Sequence, residues 1–73
     1  MCNIGENTVV TGWTGSTGTL RAAFSDRNLH RNTHYDYFGP RVQRGSCELL
    51  LRGEWRTVRF DVQYGWARKV EVL

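Results

Sequence analysis

Residues 47–73 alternate between apolar and polar side chains in three segments, which is the pattern of half-buried β-strands. The segments are Cys47–Arg52, Trp55–Val62 and Trp66–Leu73. Gly53-Glu54 has glycine where a two-residue type II′ turn requires it, and Gln63-Tyr64-Gly65 fits a three-residue bulged hairpin loop. The sequence therefore predicts a three-stranded antiparallel meander.

These loop lengths set the register of the predicted meander. Leu51 pairs with Arg56 across the first turn, and Val62 pairs with Trp66 across the second. One face is then apolar and consists of Cys47, Leu49, Leu51, Val58, Phe60, Val62, Trp66, Val70 and Val72. The other face is mixed and carries Glu48, Leu50, Thr57, Arg59, Lys69 and Glu71. Acids among the basic residues are typical of cross-strand ion pairs rather than of a base-stacking sheet, so we expect this face to be solvated or to contact protein.

The N-terminal third has the composition of a further hairpin. Thr8–Trp13 and Thr19–Phe24 are rich in β-branched and aromatic residues, and the intervening residues Thr14–Gly18 have low helix potential. Because a lone hairpin is not stable, we expect it to pack against the meander. Leu50, Trp55 and Leu73 add apolar residues to the mixed face, which favours a curled sheet or a barrel over a flat sheet.

Residues 25–46 form a long connection between these two parts. Ser25 is a good N-cap for a short helix that ends near His30 or Asn32, and Tyr35–Phe38 predicts a short strand before a turn at Gly39-Pro40. We therefore predict a mostly β fold, a small antiparallel sheet or barrel of about five strands with one short helix in the 25–34 connection. It forms a single domain over residues 1–73, and only its size resembles that of SH3-like or OB-like barrels.

Composition is that of an ordinary soluble protein. Hydrophobic residues make up 40% of the 73 residues, and charged residues 23%. The sequence has neither an apolar run long enough for a membrane span nor the basic and apolar segments of a signal peptide. We expect Cys2 and Cys47 to be free thiols in a reducing compartment, with Cys47 in the core, and a Cys2–Cys47 bridge is the alternative. These features predict a cytoplasmic protein.

The net charge of +3 arises from ten basic and seven acidic residues, and Lys69 is the only lysine. Arginine binds phosphates, carboxylates and aromatic rings through a planar fork of donors, so this bias favours specific recognition. The codon usage of a GC-rich genome explains the bias equally well. A charge of +3 is by itself weak evidence for nucleic-acid binding.

The sequence carries no pattern typical of catalysis or of a metal site. His30 and His34 are correctly spaced to share a helix face, but Arg31 stands where a zinc protease has its glutamate, and no close pair such as Cys-x-x-Cys occurs. The glycine-rich stretch 12–18 lacks the lysine of a P-loop. Acidic residues fall in differently predicted elements, so no carboxylate pair is expected. We predict that the protein is not an enzyme and has no catalytic residue, metal or cofactor.

Basic and aromatic residues are interleaved in the long connection. The candidate binding patch consists of Arg27, Arg31, Tyr35, Tyr37, Phe38, Arg41 and Arg44. Such residues hold phosphates and stack bases in single-strand binders, but Tyr and Arg are also common at the centre of protein interfaces. A third interpretation is that the rings close one end of the barrel and the arginines are solvated.

These observations together favour a non-catalytic binding protein. Its length, arginine bias and few cysteines resemble those of small accessory proteins of phages and mobile elements, including anti-CRISPR and anti-restriction inhibitors. The resemblance implies that it binds and blocks a host protein or ribonucleoprotein complex that handles nucleic acids. Direct binding of single-stranded RNA or DNA through the same patch is the alternative. Because so small a core is marginal, a homodimer that buries Leu50, Trp55 and Leu73 is a further expectation, and no membrane partner is expected.

Overall fold

A computed structural model describes residues 3–37 and 42–73. The elements in chain order are β1 (Asn3–Thr11), α1 (Thr17–Ser25), β2 (His30–Tyr37), β3 (Val42–Leu51), β4 (Glu54–Gln63) and β5 (Trp66–Val72). The strands form one five-stranded sheet in the order β1-β5-β4-β3-β2. The predicted mostly β fold is confirmed, but the sheet is open rather than a barrel and is mixed, because β1 runs parallel to β5.

The predicted N-terminal hairpin is wrong, because its second strand, Thr19–Phe24, lies within helix α1. Ser16 caps this helix, since its hydroxyl accepts a hydrogen bond of 3.1 Å from the backbone N–H of Thr19. Leu20, Ala23 and Phe24 have the spacing of one helix face, and all three are buried. This spacing prevails over the strand propensity of the threonines and the phenylalanine.

The helix predicted to begin at Ser25 is also wrong, because α1 ends there and residues 30–37 form β2. The short strand predicted over Tyr35–Phe38 is confirmed as far as Tyr37. Phe38, Arg41, the predicted turn at Gly39-Pro40 and Cys2 lie outside the described residues. Within the described ranges, no helix is long and apolar enough to cross a membrane.

Helix α1 packs against one face of the sheet, and the core lies between them. The buried residues are Ile4, Leu20, Ala23, Phe24, Cys47, Leu49, Leu51, Val58, Phe60, Val62, Ala67, Val70 and Val72. Phe24 meets Phe60 edge to face with the ring centroids 5.7 Å apart, so the helix is anchored on β4. The apolar face predicted for the meander is confirmed, except that Trp66 is 50% exposed.

The meander itself is confirmed, but its first turn differs from the prediction. Arg52 and Gly53 have φ of 53° and 80°, so these two residues form the turn, as in type I′ hairpins. Leu51 consequently pairs with Glu54 instead of Arg56. The register moves by an even number of residues, and every side chain of β3 and β4 therefore stays on its predicted face.

The second turn differs as well, because it has two residues instead of the predicted three. Tyr64 and Gly65 form it, with φ of 53° and 77°, and Gln63 rather than Val62 pairs with Trp66. The register then shifts between Asp61 and Val62, which leaves Arg68 as an extra residue in β5. This bulge reverses the alternation at the start of β5, so Ala67 enters the core in place of Trp66.

Candidate functional site

No element in the described part of the chain covers the sheet face opposite α1. We call this face the open face. Directly paired residues of neighbouring strands share a face, so their side chains form rows across the sheet. The open face carries Asn3, Val9, Thr11, Arg31, His34, Asp36, Arg44, Ser46, Glu48, Leu50, Trp55, Thr57, Arg59, Asp61, Gln63, Trp66, Lys69 and Glu71. It corresponds to the mixed face predicted from the sequence, extended by β1 and β2.

One row of the open face alternates in charge across four strands. Asp36 pairs with Arg44, Arg44 with Asp61, and Asp61 with Lys69. The Nε atom of Arg44 lies 3.3 Å from Oδ1 of Asp61, and both side chains are partly exposed. Exposed pairs of this kind add little stability, but they fix a pattern of charge that a binding partner must match.

A second row brings Arg31 of β2 against Glu48 of β3. The Nη2 atom of Arg31 lies 3.4 Å from Oε2 of Glu48, and the Asn32 side-chain amide donates a hydrogen bond to Oε1. Asn32 reaches Glu48 because it occupies a bulge of β2 with φ of 53°, a conformation that asparagine tolerates better than most residues. Two hydrogen bonds lower the pKa of the Glu48 carboxyl below its usual value, the one from Asn32 having the larger effect and the one from Arg31 the smaller.

Trp55 lies beside this row, and its ring contacts the guanidinium group of Arg31. The guanidinium carbon of Arg31 is 3.9 Å from the centroid of the indole ring, the geometry of a close cation–π contact. Leu50 pairs directly with Trp55, and the backbone N–H of Leu73 donates a 2.9 Å hydrogen bond to the Thr57 carbonyl. Leu50, Trp55 and Leu73 thus share one end of the open face, which we call the apolar end. Trp55 is 36% exposed there.

The rows leave the open face with no net charge. Its basic residues are Arg31, Arg44, Arg59 and Lys69, and its acidic residues are Asp36, Glu48, Asp61 and Glu71. The rest of the described chain holds five arginines and three acidic residues. The excess positive charge is therefore not on this face, and a polyanion such as nucleic acid gains no net attraction from it.

The structure divides the binding patch predicted from the sequence. Arg31 and Arg44 lie on the open face, whereas Tyr35 lies on the other side, with its ring edge to face on Phe60 at 5.9 Å. Arg27 lies in the turn after α1, and Tyr37 pairs with Gln43 in the sheet. Phe38 and Arg41 lie outside the described residues. Neighbours in sequence are thus separated, because a strand sends alternate side chains to opposite faces.

The sequence does not connect Trp55 with Arg31, because a pattern along one segment does not show which residues are neighbours across strands. Trp55 was predicted to curl the sheet and to form part of a dimer contact, and its contact with Arg31 is an addition from the structure. His30 and His34 lie on β2 rather than on a helix, so the shared helix face does not arise. Among the described residues, no three His, Cys, Asp or Glu side chains are grouped as metal ligands.

The contact of Glu48 with Asn32 and Arg31 makes a pH dependence testable. A carboxyl whose pKa is lowered by folding stabilises the protein above its ordinary pKa, and this contribution is lost as the pH falls through the lowered value. Urea unfolding should therefore show that Glu48→Gln loses less stability than the natural chain between about pH 6 and pH 3. Glu71→Gln is the control, and an identical pH dependence of the two variants would contradict a stabilised Glu48 carboxylate.

The open face therefore combines an exposed tryptophan, a guanidinium held in place by a ring and a carboxylate, and surrounding rows of alternating charge. These groups can make apolar contacts, ion pairs and hydrogen bonds with a surface placed against the sheet. Comparison of the chain with family models, curated proteins and solved structures gives no match.

Proposed function

We propose that this chain is a non-catalytic binding protein that docks on a protein partner through the apolar end of its open face. The observation that carries the proposal is the stack of Arg31 on Trp55 on an uncovered sheet face without net charge. Tryptophan and arginine are the residues most enriched among those that dominate the affinity of protein interfaces.

The Arg31 side chain already has partners within its own chain before any binding partner arrives. The Trp55 ring supports its guanidinium group, Glu48 accepts its hydrogen bond, and Asn32 holds Glu48 in turn. A side chain already ordered in this way loses less conformational entropy on binding. The alternating charges around the apolar end then form a polar rim that selects the partner and its orientation.

We propose further that the partner is a host protein or ribonucleoprotein complex that handles nucleic acids in the cytoplasm, and that binding blocks it. Small size, arginine bias and few cysteines support this, as in phage and mobile-element inhibitors of the anti-CRISPR and anti-restriction types. Direct binding of RNA or DNA is the alternative. The acidic residues in the rows of the open face disfavour this alternative, because their carboxylates would repel the phosphates of a nucleic acid bound there.

Replacing Trp55 by alanine should weaken partner binding by about 2 kcal/mol or more, which is about 30-fold in Kd. The partner is first isolated with the tagged natural chain, and its affinity for each variant is then measured by calorimetry. Trp66→Ala is the matched control, because Trp66 is also an exposed tryptophan but lies outside the apolar end. It should bind like the natural chain, and thermal unfolding verifies that both variants are folded.

Two results would contradict the proposal. Equal affinities of Trp55→Ala and Trp66→Ala would show that the apolar end is not the docking surface. Binding of fluorescent single-stranded DNA, duplex DNA or RNA that persists at physiological salt would favour the nucleic-acid alternative, because binding by net charge alone weakens steeply with salt.

A further inference from the structure

We propose that a groove next to the apolar end receives an acidic side chain of the protein partner, an inference that rests on the proposed function. The groove has a volume of about 520 Å³ and lies across four strands of the open face. Its open-face side chains include Val9, the cations Arg44, Arg59 and Lys69, and the carboxylates Asp61 and Glu71. We call it the charged groove.

Two cations of the charged groove form no ion pair with any residue that the structure describes. Arg59 stands opposite Glu71 and Lys69 opposite Asp61, yet in residues 3–37 and 42–73 the ion pairs of the open face are Arg31–Glu48 and Arg44–Asp61. Because Asp61 is held by Arg44, its charge is already largely compensated. A carboxylate from outside can therefore approach Arg59 and Lys69 together and form the charge-assisted hydrogen bonds that they lack.

The remaining lining suits an extended polypeptide. Val9 is 56% exposed and lies directly opposite Lys69, and Thr11 lies opposite Glu71 on the same pair of strands. In an extended segment, alternate side chains point the same way about 7 Å apart. One side chain can then reach the two cations while the next apolar one on the same side covers Val9.

The charge pattern favours one carboxylate over a chain of phosphates. Glu71 and Asp61 lie immediately beside Arg59 and Lys69 in the register of the sheet. The groove is lined by three cations, Arg44, Arg59 and Lys69, and by these two carboxylates, so one carboxylate of the partner balances its excess of positive charge. The closely spaced charges of a nucleic-acid strand exceed that balance and would lie against Asp61 and Glu71. The groove is therefore assigned to an acidic protein segment.

The test uses two blocked pentapeptides, Val-Thr-Glu-Thr-Val and the same peptide with glutamine in the centre, titrated into the ¹⁵N-labelled chain and followed by NMR. We expect the glutamate peptide to bind about tenfold or more tightly than the glutamine peptide and to shift the amides of Arg59, Lys69 and Glu71. The double variant Arg59→Gln/Lys69→Gln should lose this preference. Arg21→Gln/Arg68→Gln removes the same charge elsewhere and should retain it.

Equal binding of the two peptides, no binding of either, or the same loss in both double variants would each overturn the proposal. A decathymidine oligonucleotide is the third probe, and shifts in the groove larger than those from the glutamate peptide would also overturn it. Trp55→Ala should leave the preference for glutamate unchanged, because the substitution lies outside the groove. A failed peptide test with an intact Trp55 effect on partner binding therefore rejects the groove and not the proposed function.

Discussion

Replacing Phe24 by alanine should lower the free energy of unfolding by about 3–5 kcal/mol. Phe24 is 1% exposed and packs edge to face on Phe60, at the only layer that covers the apolar face of the sheet in the described chain. A chain of 73 residues has a total stability of about 4–11 kcal/mol at usual values per residue. This one substitution therefore removes a large part of it, as measured by urea unfolding with tryptophan fluorescence.

Arg21→Ala is the control for this prediction, since Arg21 lies on the exposed side of the same helix. Its effect should stay within about 0.5 kcal/mol, because alanine is the best helix former and no buried contact is lost. A loss below about 1 kcal/mol in Phe24→Ala would mean that α1 does not form the second layer of the core.

Replacing Gly12 by alanine should cost about 2–5 kcal/mol. Gly12 follows β1 with φ of 76°, a conformation that costs an L-residue about 1–2 kcal/mol. In addition, the new Cβ would lie 2.1 Å from the carbonyl oxygen of Val72. Because that oxygen belongs to the backbone of β5, β1 must move away from the strand with which it pairs.

Gly53→Ala separates these two effects. Gly53 has a similar φ of 80°, but a Cβ there would meet no atom within 4 Å. It should therefore lose only the conformational part, about 1–2 kcal/mol, in the same denaturation experiment. Equal losses in the two variants would show that the close approach of Gly12 to Val72 adds nothing.

The meander could be predicted from the sequence because its strands alternate regularly, and a shift of two residues does not change which face a side chain occupies. The residues that form the two turns were predicted wrongly, because Arg52 and Tyr64 adopt positive φ, a conformation rare for residues other than glycine. Helix α1 was missed because the threonines and Phe24 were given more weight than Leu20, Arg21, Ala22 and Ala23, which are strong helix formers. The three buried positions also follow the period of a helix. The pairing of β1 with β5 has no local sequence cue at all.

The candidate site was predictable only in part, for a related reason. The sequence predicted a mixed face on the meander that is solvated or contacts protein, and it placed the arginine and aromatic residues of a binding patch separately, in the connection before the meander. It could not show that Arg31 stacks on Trp55, because that contact depends on β2 adding to β3 at the edge of the sheet. The bulge at Asn32, which aims the amide at Glu48, likewise exists only once these strands have paired.

The parallel pairing of β1 with β5 also bears on how the chain reaches its fold. Val9 lies beside Lys69 and Val10 beside Val70, so the first strand finds its place only after the last one exists. Contacts between such distant parts of a chain slow folding, because a long loop must close, at a cost in entropy, before these contacts stabilise the chain. During synthesis, β1 leaves the ribosome first and stays unpaired until β5 has been made. The edge of β5 is open until β1 pairs with it. We expect that open edge to accept β1 of a neighbouring molecule once the protein concentration approaches the effective concentration of its own β1, which makes strand exchange the expected misfolding route of this topology.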